Sequence, residues 1–174
     1  MSLASMLKEW VEEKNTQLGM WLNLDKKVYI RYHSFYIHTA YGTAQIEHLL
    51  LSRYGIFVID TRNYTGWIYG AEKDKNWTQN LSGKKSLFQN PLYENYKHTR
   101  LLSEFLKIKE NKIHSIVFFI GDAVLRGEFP SNVITGNLSS YIKGFADEIF
   151  SEYEFARLHH ELEKLKSNQV MSTF

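Results

Sequence analysis

The chain has 174 residues, of which 44% are hydrophobic, 15% aromatic and 23% charged, with a formal net charge of +2 and a sequence pI of about 8.6. This length and apolar content predict a single domain over residues 1–174 and exclude an intrinsically disordered chain. The sequence contains no cysteine, which excludes a disulfide framework and a thiolate zinc site, and its weak basicity permits an anionic partner without requiring one.

The N-terminal segment repeats apolar residues at roughly helical spacing, and we predict an amphipathic helix over Leu3–Leu24. Charged residues interrupt this segment between Lys8 and Glu13, a pattern that fits neither a signal peptide nor a membrane span. Together with the lack of cysteine, this favours the cytoplasm as the compartment and argues against a membrane partner.

A cluster of strands is predicted next, over Lys27–Tyr32, Ser34–Tyr41, Ala44–Leu51, Ile56–Asp60, Trp67–Gly70 and Asn76–Asn80. The run Ile56–Asp60 is apolar at each position before its final carboxylate, which indicates a strand covered on both faces in the middle of a sheet. The short turn Arg53-Tyr54-Gly55 joins it to Ala44–Leu51 as an antiparallel hairpin.

The remaining chain alternates helices with strands. The predicted elements are a helix over Leu92–Ile108, a buried strand over Ile113–Ile120, a short edge strand at Val133–Ile134, and closing helices over Ser140–Ile149 and Phe155–Leu165. Pro91, after Asn90, suits the first turn of the first of these helices. This order predicts an α/β fold with a mixed central β-sheet flanked by helices.

A carboxylate at the end of a fully buried strand needs a cation, a metal or strong hydrogen-bond donors nearby, because burying an uncompensated charge is costly. Asp60 holds this position. Arg62 lies two residues on, so alternation places it on the same face of the strand. Glu47, on the preceding strand of the hairpin, can reach the same region across the ladder. The sequence therefore predicts two carboxylates and one cation converging in the middle of the sheet.

Such a group suits metal-assisted cleavage of a phosphodiester bond. Two carboxylates can hold a hard Mg²⁺ or Mn²⁺ ion and leave coordination positions for water and a phosphate oxygen. The ion lowers the pKa of bound water, and a fixed cation beside it stabilises the charge that develops on the phosphate. Two alternatives stay open at this point: Glu47 as a surface strand residue, and Asp60 with Arg62 as a structural ion pair.

The sequence around these residues has a specific pattern. Its parts are Gly42-Thr43-Ala44-Gln45-Ile46-Glu47-His48, Gly55-Ile56-Phe57-Val58-Ile59-Asp60-Thr61-Arg62-Asn63, Gly66-Trp67-Ile68-Tyr69-Gly70, and Phe88-Gln89-Asn90-Pro91 with Asn95 and His98. This pattern resembles the nuclease-related domain (NERD) family, which is classed with the PD-(D/E)xK nucleases. The resemblance covers roughly residues 12–120 and includes accessory residues as well as the motif.

The resemblance implies a restriction-endonuclease-like PD-(D/E)xK core and a catalytic set of Glu13, Glu47, Asp60 and Arg62. It implies a metal held by Glu47, Asp60 and the backbone carbonyl of Thr61, and contact of Gln45 with phosphate or water. Glu13 corresponds to the acid of the family's first helix. Helical arithmetic places it away from the apolar stripe, so a solvated position is the alternative for this residue.

Three departures from the family pattern bear on catalysis. Glu47 replaces an aspartate and Asp60 replaces a glutamate, a reciprocal exchange that a shared metal site can absorb. Arg62 replaces a lysine, and because arginine stays charged it cannot act as a general base. We therefore expect the metal to activate water and Arg62 to bind the scissile phosphate.

Several other residues have two interpretations. The cluster Lys73, Lys75, Lys84 and Lys85 could follow a phosphate backbone or belong to a solvated loop. His98 is predicted to be structural. His48 is predicted to point to the face opposite Glu47, into the core.

The function predicted from the sequence is hydrolysis of phosphodiester bonds in DNA by a Mg²⁺- or Mn²⁺-dependent nuclease with little sequence preference, and the choice between DNA and RNA stays open. Strong preference is not expected because no helix-turn-helix, zinc finger or other base-reading module is recognisable. The first alternative is a catalytically weakened nuclease-like module that binds nucleic acid. The second is a protein-interaction domain that keeps only the fold.

Overall fold

The computed structural model describes residues 2–3, 5–6 and 23–171. Most of the predicted first helix, Leu3–Leu24, and with it Glu13, therefore lies outside the described residues. Among the described residues, no helix is long and apolar enough to span a membrane.

The elements follow in chain order. They are β1 (Ile30–Thr39), β2 (Gly42–Ser52), β3 (Gly55–Asn63), β4 (Gly66–Ala71), β5 (Asn76–Leu81), β6 (Lys84–Gln89), α1 (Pro91–Leu106), a 3₁₀ turn (Glu110–Lys112), β7 (Ile113–Ile120), β8 (Ala123–Glu128), β9 (Val133–Ile134), α2 (Leu138–Lys143) and α3 (Glu152–Met171). The mixed α/β class predicted from the sequence is confirmed, and the arrangement is consistent with a restriction-endonuclease-like fold.

The strands form two mixed sheets rather than one central sheet. The first has the order β1-β2-β3-β7-β9 and the second the order β6-β5-β4-β8. The chain leaves the first sheet after β3 and turns at Gly66, whose φ of 92° favours glycine. The second sheet then packs its inner face, with Ile68 and Trp77, against Val117 and Phe119 of β7. The predicted strands Trp67–Gly70 and Asn76–Asn80 thus exist but belong to this separate layer.

Strand β3 is covered on both faces, as its continuous apolar run predicts. Ile56 and Val58 belong to a core cluster that includes residues of α1 and α3. Phe57 and Ile59, on the opposite face, belong to a second cluster that includes residues of α2. Strand β3 pairs with β2 on one side as far as Ile59, and with β7 on the other side from Ile56 to Asn63.

Strands β1 and β2 share an irregularity that bears on the site. The two β segments predicted before Gly42 form the single strand β1, in which Ser34 has a φ of 53°. Pairing with β2 runs through His33↔His48 and Phe35↔Ile46 but omits Ser34 and Glu47. Ile46 and Leu49 belong to the same core cluster, so the alternation of β2 shifts at Glu47.

Helix α1 begins as predicted. The Asn90 side chain accepts a hydrogen bond from the backbone N–H of Leu92 at 2.9 Å, and Pro91 fills the first turn. The helix ends at Leu106, two residues before the predicted end, with Lys107 in the left-handed conformation.

The predicted closing helices differ in length from the observed ones. Helix α2 spans only Leu138–Lys143, where Ser140–Ile149 was predicted, and Gly144 caps its C-terminal end. Helix α3 is longer than the predicted Phe155–Leu165 at both ends.

Gly70 allows the buried Trp77 ring to pack against β4. A Cβ added at Gly70 would collide with the Trp77 ring, which is fully buried. We therefore expect Gly70→Ala to lower the free energy of unfolding by about 2 kcal/mol, the usual cost of overpacking a core. Gly136→Ala is the matched control, because nothing lies within 4 Å of its added Cβ. Urea unfolding of both variants checks the prediction, and equal stabilities would contradict it.

Candidate metal-dependent nuclease site

The candidate site is a cavity of about 610 Å³ that opens where β2 and β3 separate. The two strands pair from Ser52↔Gly55 to His48↔Ile59, and the pairing stops there. Beyond this point lie Glu47 on β2 and Asp60 on β3, and both line the cavity. Because the two strands separate beyond this pair, both predicted carboxylates line the same cavity.

Asp60 and Arg62 form the predicted contact on one face of β3. Arg62 donates to Oδ2 of Asp60 through Nε at 2.9 Å, and its Nη2 lies 2.8 Å from the same oxygen. Nη2 also donates to Oε2 of Glu94 at 3.1 Å. The Asp60 side chain is 15% exposed and that of Arg62 is 26% exposed, so the pair is largely shielded from water.

Burial raises the pKa of Asp60 to about 6, from an ordinary value of 3.8. Arg62 opposes this shift, whereas the negative charges of Glu47 and Glu94 add to it. A single arginine therefore does not compensate the buried carboxylate fully. The cavity is lined by more carboxylates (Glu47, Asp60 and Glu94) than fixed cations (Arg62 and Lys97), and such an excess of negative charge is what a divalent cation neutralises.

Glu47 lies at the irregularity of β2, on the same side of the sheet as Asp60. His48 pairs with Ile59, whose side chain lies in the cluster on the other face. The prediction that His48 points away from Glu47 into the core is therefore confirmed, and the His48 side chain is only 3% exposed.

Helix α1 supplies a wall of the cavity, of which the sequence pattern included Asn95 and His98 but not Glu94 or Lys97. Glu94, Asn95, Lys97 and His98 all line it. His98, predicted to be structural, therefore borders the site, and burial lowers its pKa. Glu94 and His98 are four residues apart in a helix with a capped N-terminus. Residues at this spacing share a helix face, so the sequence could have indicated that both reach the same region.

Asn95 fixes this helix to the sheet beside the site. Its Nδ2 donates to the carbonyl of Val58 at 3.2 Å, to the carbonyl of Ile116 at 3.1 Å and to Oγ of Ser115 at 2.8 Å. Asn95 is 1% exposed. Because these acceptors lie on both β3 and β7, the side chain links α1 to the two strands that carry the site.

Of the other predicted site residues, some line the cavity and others lie outside it. Gln45 and Thr61 line the cavity. The four lysines do not form one cluster: Lys73 and Lys75 lie in the connection between β4 and β5, and Lys84 and Lys85 begin β6 at the other end of the second sheet. Lys97 on α1 is a cavity lysine that was not predicted.

The donor set fits a hard divalent cation. Glu47 and Asp60 provide carboxylate oxygens, and within the described residues Oδ1 of Asp60 accepts no hydrogen bond, since both bonds from Arg62 end on Oδ2. The described part of the chain contains no group of three or more acidic or histidine side chains placed to hold a metal. Two carboxylates suffice for Mg²⁺, which usually completes its shell with water and substrate phosphate.

Comparison with known proteins identifies the family of the chain. An uncharacterised protein of Bacillus anthracis, pXO1-01, is 48% identical over 171 residues, which cover 92% of this chain and 81% of that protein. No solved structure matches the chain. The family model of the nuclease-related domain (NERD) matches residues 8–120, which include β1 to β7 and the whole described cavity. The chain therefore belongs to the nuclease-related domain family.

Proposed function

We propose that this protein is a Mg²⁺- or Mn²⁺-dependent nuclease that hydrolyses phosphodiester bonds in DNA with little sequence preference. The observation that carries the proposal is that Glu47, Asp60 and Arg62 line one cavity, with Arg62 in contact with Asp60. A buried carboxylate with residual negative charge in an open cavity is the environment in which a divalent cation binds favourably.

Each residue of the site has a chemical role in this proposal. Glu47 and Asp60 would hold the cation, and the backbone carbonyl of Thr61, a residue that also lines the cavity, would complete its coordination. A bound Mg²⁺ or Mn²⁺ ion would lower the pKa of the attacking water and offset the charge that grows on the phosphate.

Arg62 binds the phosphate in this proposal rather than moving a proton. Its guanidinium has five N–H donors in a planar fork, which suits bidentate contact with phosphate oxygens. Glu94 holds Arg62 from the α1 side at 3.1 Å and so fixes its direction. Because Arg62 stays charged at any working pH, it is not the group that takes the proton from water.

A direct experiment tests the proposal. Supercoiled plasmid and single-stranded DNA are incubated with the protein in Mg²⁺, in Mn²⁺ and in EDTA. We expect cleavage with either ion and none in EDTA. Intact DNA under all three conditions would contradict the nuclease assignment.

The second candidate function is nucleic-acid binding without cleavage. The specific observation in its favour is that two groups of Arg62 already contact Oδ2 of Asp60, an oxygen that a metal could use. In this case binding persists in EDTA and weakens steeply with salt.

Arg62→Lys separates the two candidates. Lysine keeps the positive charge, so an active enzyme should still cleave DNA after this substitution. Because lysine lacks the planar fork, the rate should fall, but by no more than about tenfold from the wild-type rate. Arg62→Met removes the charge and should lower the rate by about 100-fold or more. Initial rates of plasmid nicking measure both effects. An inactive wild-type protein that gains cleavage on Arg62→Lys would instead support the binding module.

A further inference from the structure

The second sheet has an outward face that the nuclease site does not use. Its inner face is buried, with Ile68 and Trp77 at 0% exposure. Strand alternation sends their neighbours to the opposite side. There Trp67 is 45%, Tyr69 37%, Val124 45% and Leu87 73% exposed.

These side chains form two rows across the sheet, which we call the outer rows. The register aligns Lys85, Asn80, Trp67 and Val124 in one row, and Leu87, Thr78, Tyr69 and Arg126 in the next. The rows place two aromatic rings side by side at the centre of an exposed sheet. Exposed aromatic rings at the centre of a sheet, rimmed by polar groups, are typical of a binding surface.

The two charged residues within the outer rows are both cationic, whereas Glu128 lies on the same face of β8 beyond Arg126. Their eight residues, all within the described part of the chain, include Lys85 and Arg126 and no acidic residue. The guanidinium carbon of Arg126 lies 5.0 Å from the centre of the Trp67 ring. The Trp67 and Tyr69 rings are 6.3 Å apart and nearly perpendicular. Cationic groups interleaved with exposed rings complement a ligand that carries both negative charge and flat π-faces.

In the sequence, the outer rows begin only a few residues after residues that line the nuclease cavity. Arg62, Asn63 and Tyr64 line the cavity, and Trp67 follows after only Thr65 and Gly66. Five residues of extended chain span at most about 18 Å. A nucleic-acid strand held at Arg62 can therefore reach Trp67 within a few nucleotides.

We infer that the outer rows bind a single nucleic-acid strand, with bases stacked on Trp67 and Tyr69 and phosphates paired with Arg126 and Lys85. This inference deepens the proposed function and rests on it for the identity of the ligand. It assigns the protein a preference for substrates with unpaired bases, because the bases of an intact duplex cannot reach the rings. Stacking is tolerant of base identity, which agrees with weak sequence preference.

The test uses the full chain in EDTA and a fluorescein-labelled 15-nucleotide dT strand, with anisotropy as the readout. We expect the double substitution Trp67→Ala with Tyr69→Ala to raise the dissociation constant at least about tenfold. Trp67→Phe should bind nearly as well as the wild type, because it keeps a ring. Arg126→Gln should reduce the slope of log affinity against log salt by about 0.7, the value for one phosphate contact on a single strand.

Tyr153→Ala is the matched control, since Tyr153 is 80% exposed on α3 and far from the outer rows in sequence. A double variant that binds the strand as well as this control would overturn the inference, and the face would then be free to serve a protein partner. This failure is distinguishable from failure of the nuclease proposal. Cleavage in Mg²⁺ would continue in the first case, whereas strand binding in EDTA would continue in the second.

Discussion

Replacing Asp60 by alanine is expected to lower the rate of DNA cleavage by about three orders of magnitude. Such a loss equals about 4 kcal/mol of transition-state stabilisation, a reasonable contribution for a carboxylate that holds the catalytic ion. The cause is specific to this position, because Asp60 lies at the end of the buried strand β3 and lines the cavity with Glu47. The rate constant for plasmid nicking under saturating Mg²⁺ measures the effect.

The control for this loss is Asp122→Ala. Asp122 is exposed in the turn between β7 and β8, where it contributes its backbone carbonyl to Gly66. We expect this variant to cleave at the wild-type rate. Folding of the Asp60→Ala protein should be intact, since the substitution removes a buried charge. Cleavage that survives Asp60→Ala would show that the activity arises elsewhere.

The second large effect is on stability and its dependence on pH. The pKa of Asp60 is about 6 in the folded protein, compared with an ordinary value of 3.8. Between these two values the folded protein binds the proton that the unfolded chain has released. Stability contributed by Asp60 therefore falls as the pH rises through this window, and the loss persists at higher pH. A difference of about two pKa units corresponds to about 3 kcal/mol.

Asp60→Asn removes this titration, so comparing its stability with that of the wild type measures the contribution of the Asp60 proton. We expect the stability of Asp60→Asn relative to the wild type to increase by about 3 kcal/mol between pH 3.5 and pH 7, measured by urea unfolding in EDTA. Glu154→Gln is a control for which the change in relative stability with pH should have the opposite sign. Hydrogen bonds from the backbone of Ser151 and from Lys112 lower the pKa of Glu154, so this carboxylate stabilises the fold as the pH rises. A constant difference between Asp60→Asn and the wild type would contradict the pKa argument.

This destabilisation has a functional meaning. A carboxylate held at the end of a buried strand reduces stability so long as its charge is only partly compensated. Binding of a divalent cation to the folded state alone would recover that stability by mass action. Under the proposed function, the same arrangement that weakens the fold without metal would increase its affinity for the ion.

The sequence was sufficient to predict where the strand-borne residues of the candidate site lie. Asp60 and Arg62 follow from two-residue alternation after a continuous apolar run, and their contact is observed at 2.8–2.9 Å. Glu47 follows from the short hairpin turn, which fixes the register of β2 against β3. These predictions depend on local geometry, which a single sequence can specify.

The parts that the sequence did not predict depend on long-range packing. Glu94 and His98 reach the cavity only because α1 lies across the sheet, held there by the contacts of Asn95 with β3 and β7. The separation of β2 from β3 on the N-terminal side of His48 lies beside Ser34 and Glu47, two positions omitted from the β1–β2 pairing that carry no recognisable turn signal. The division into two sheets likewise depends on how Trp77 packs against β7.

The most direct measurement for the central claim is a crystal structure of the wild-type protein grown with Mn²⁺, with anomalous scattering recorded at the manganese edge. We predict one anomalous peak in the cavity, about 2.1 Å from carboxylate oxygens of Glu47 and Asp60. A cavity without such a peak, with Asp60 still bound to Arg62 at full Mn²⁺ concentration, would contradict the claim that these carboxylates hold the catalytic ion.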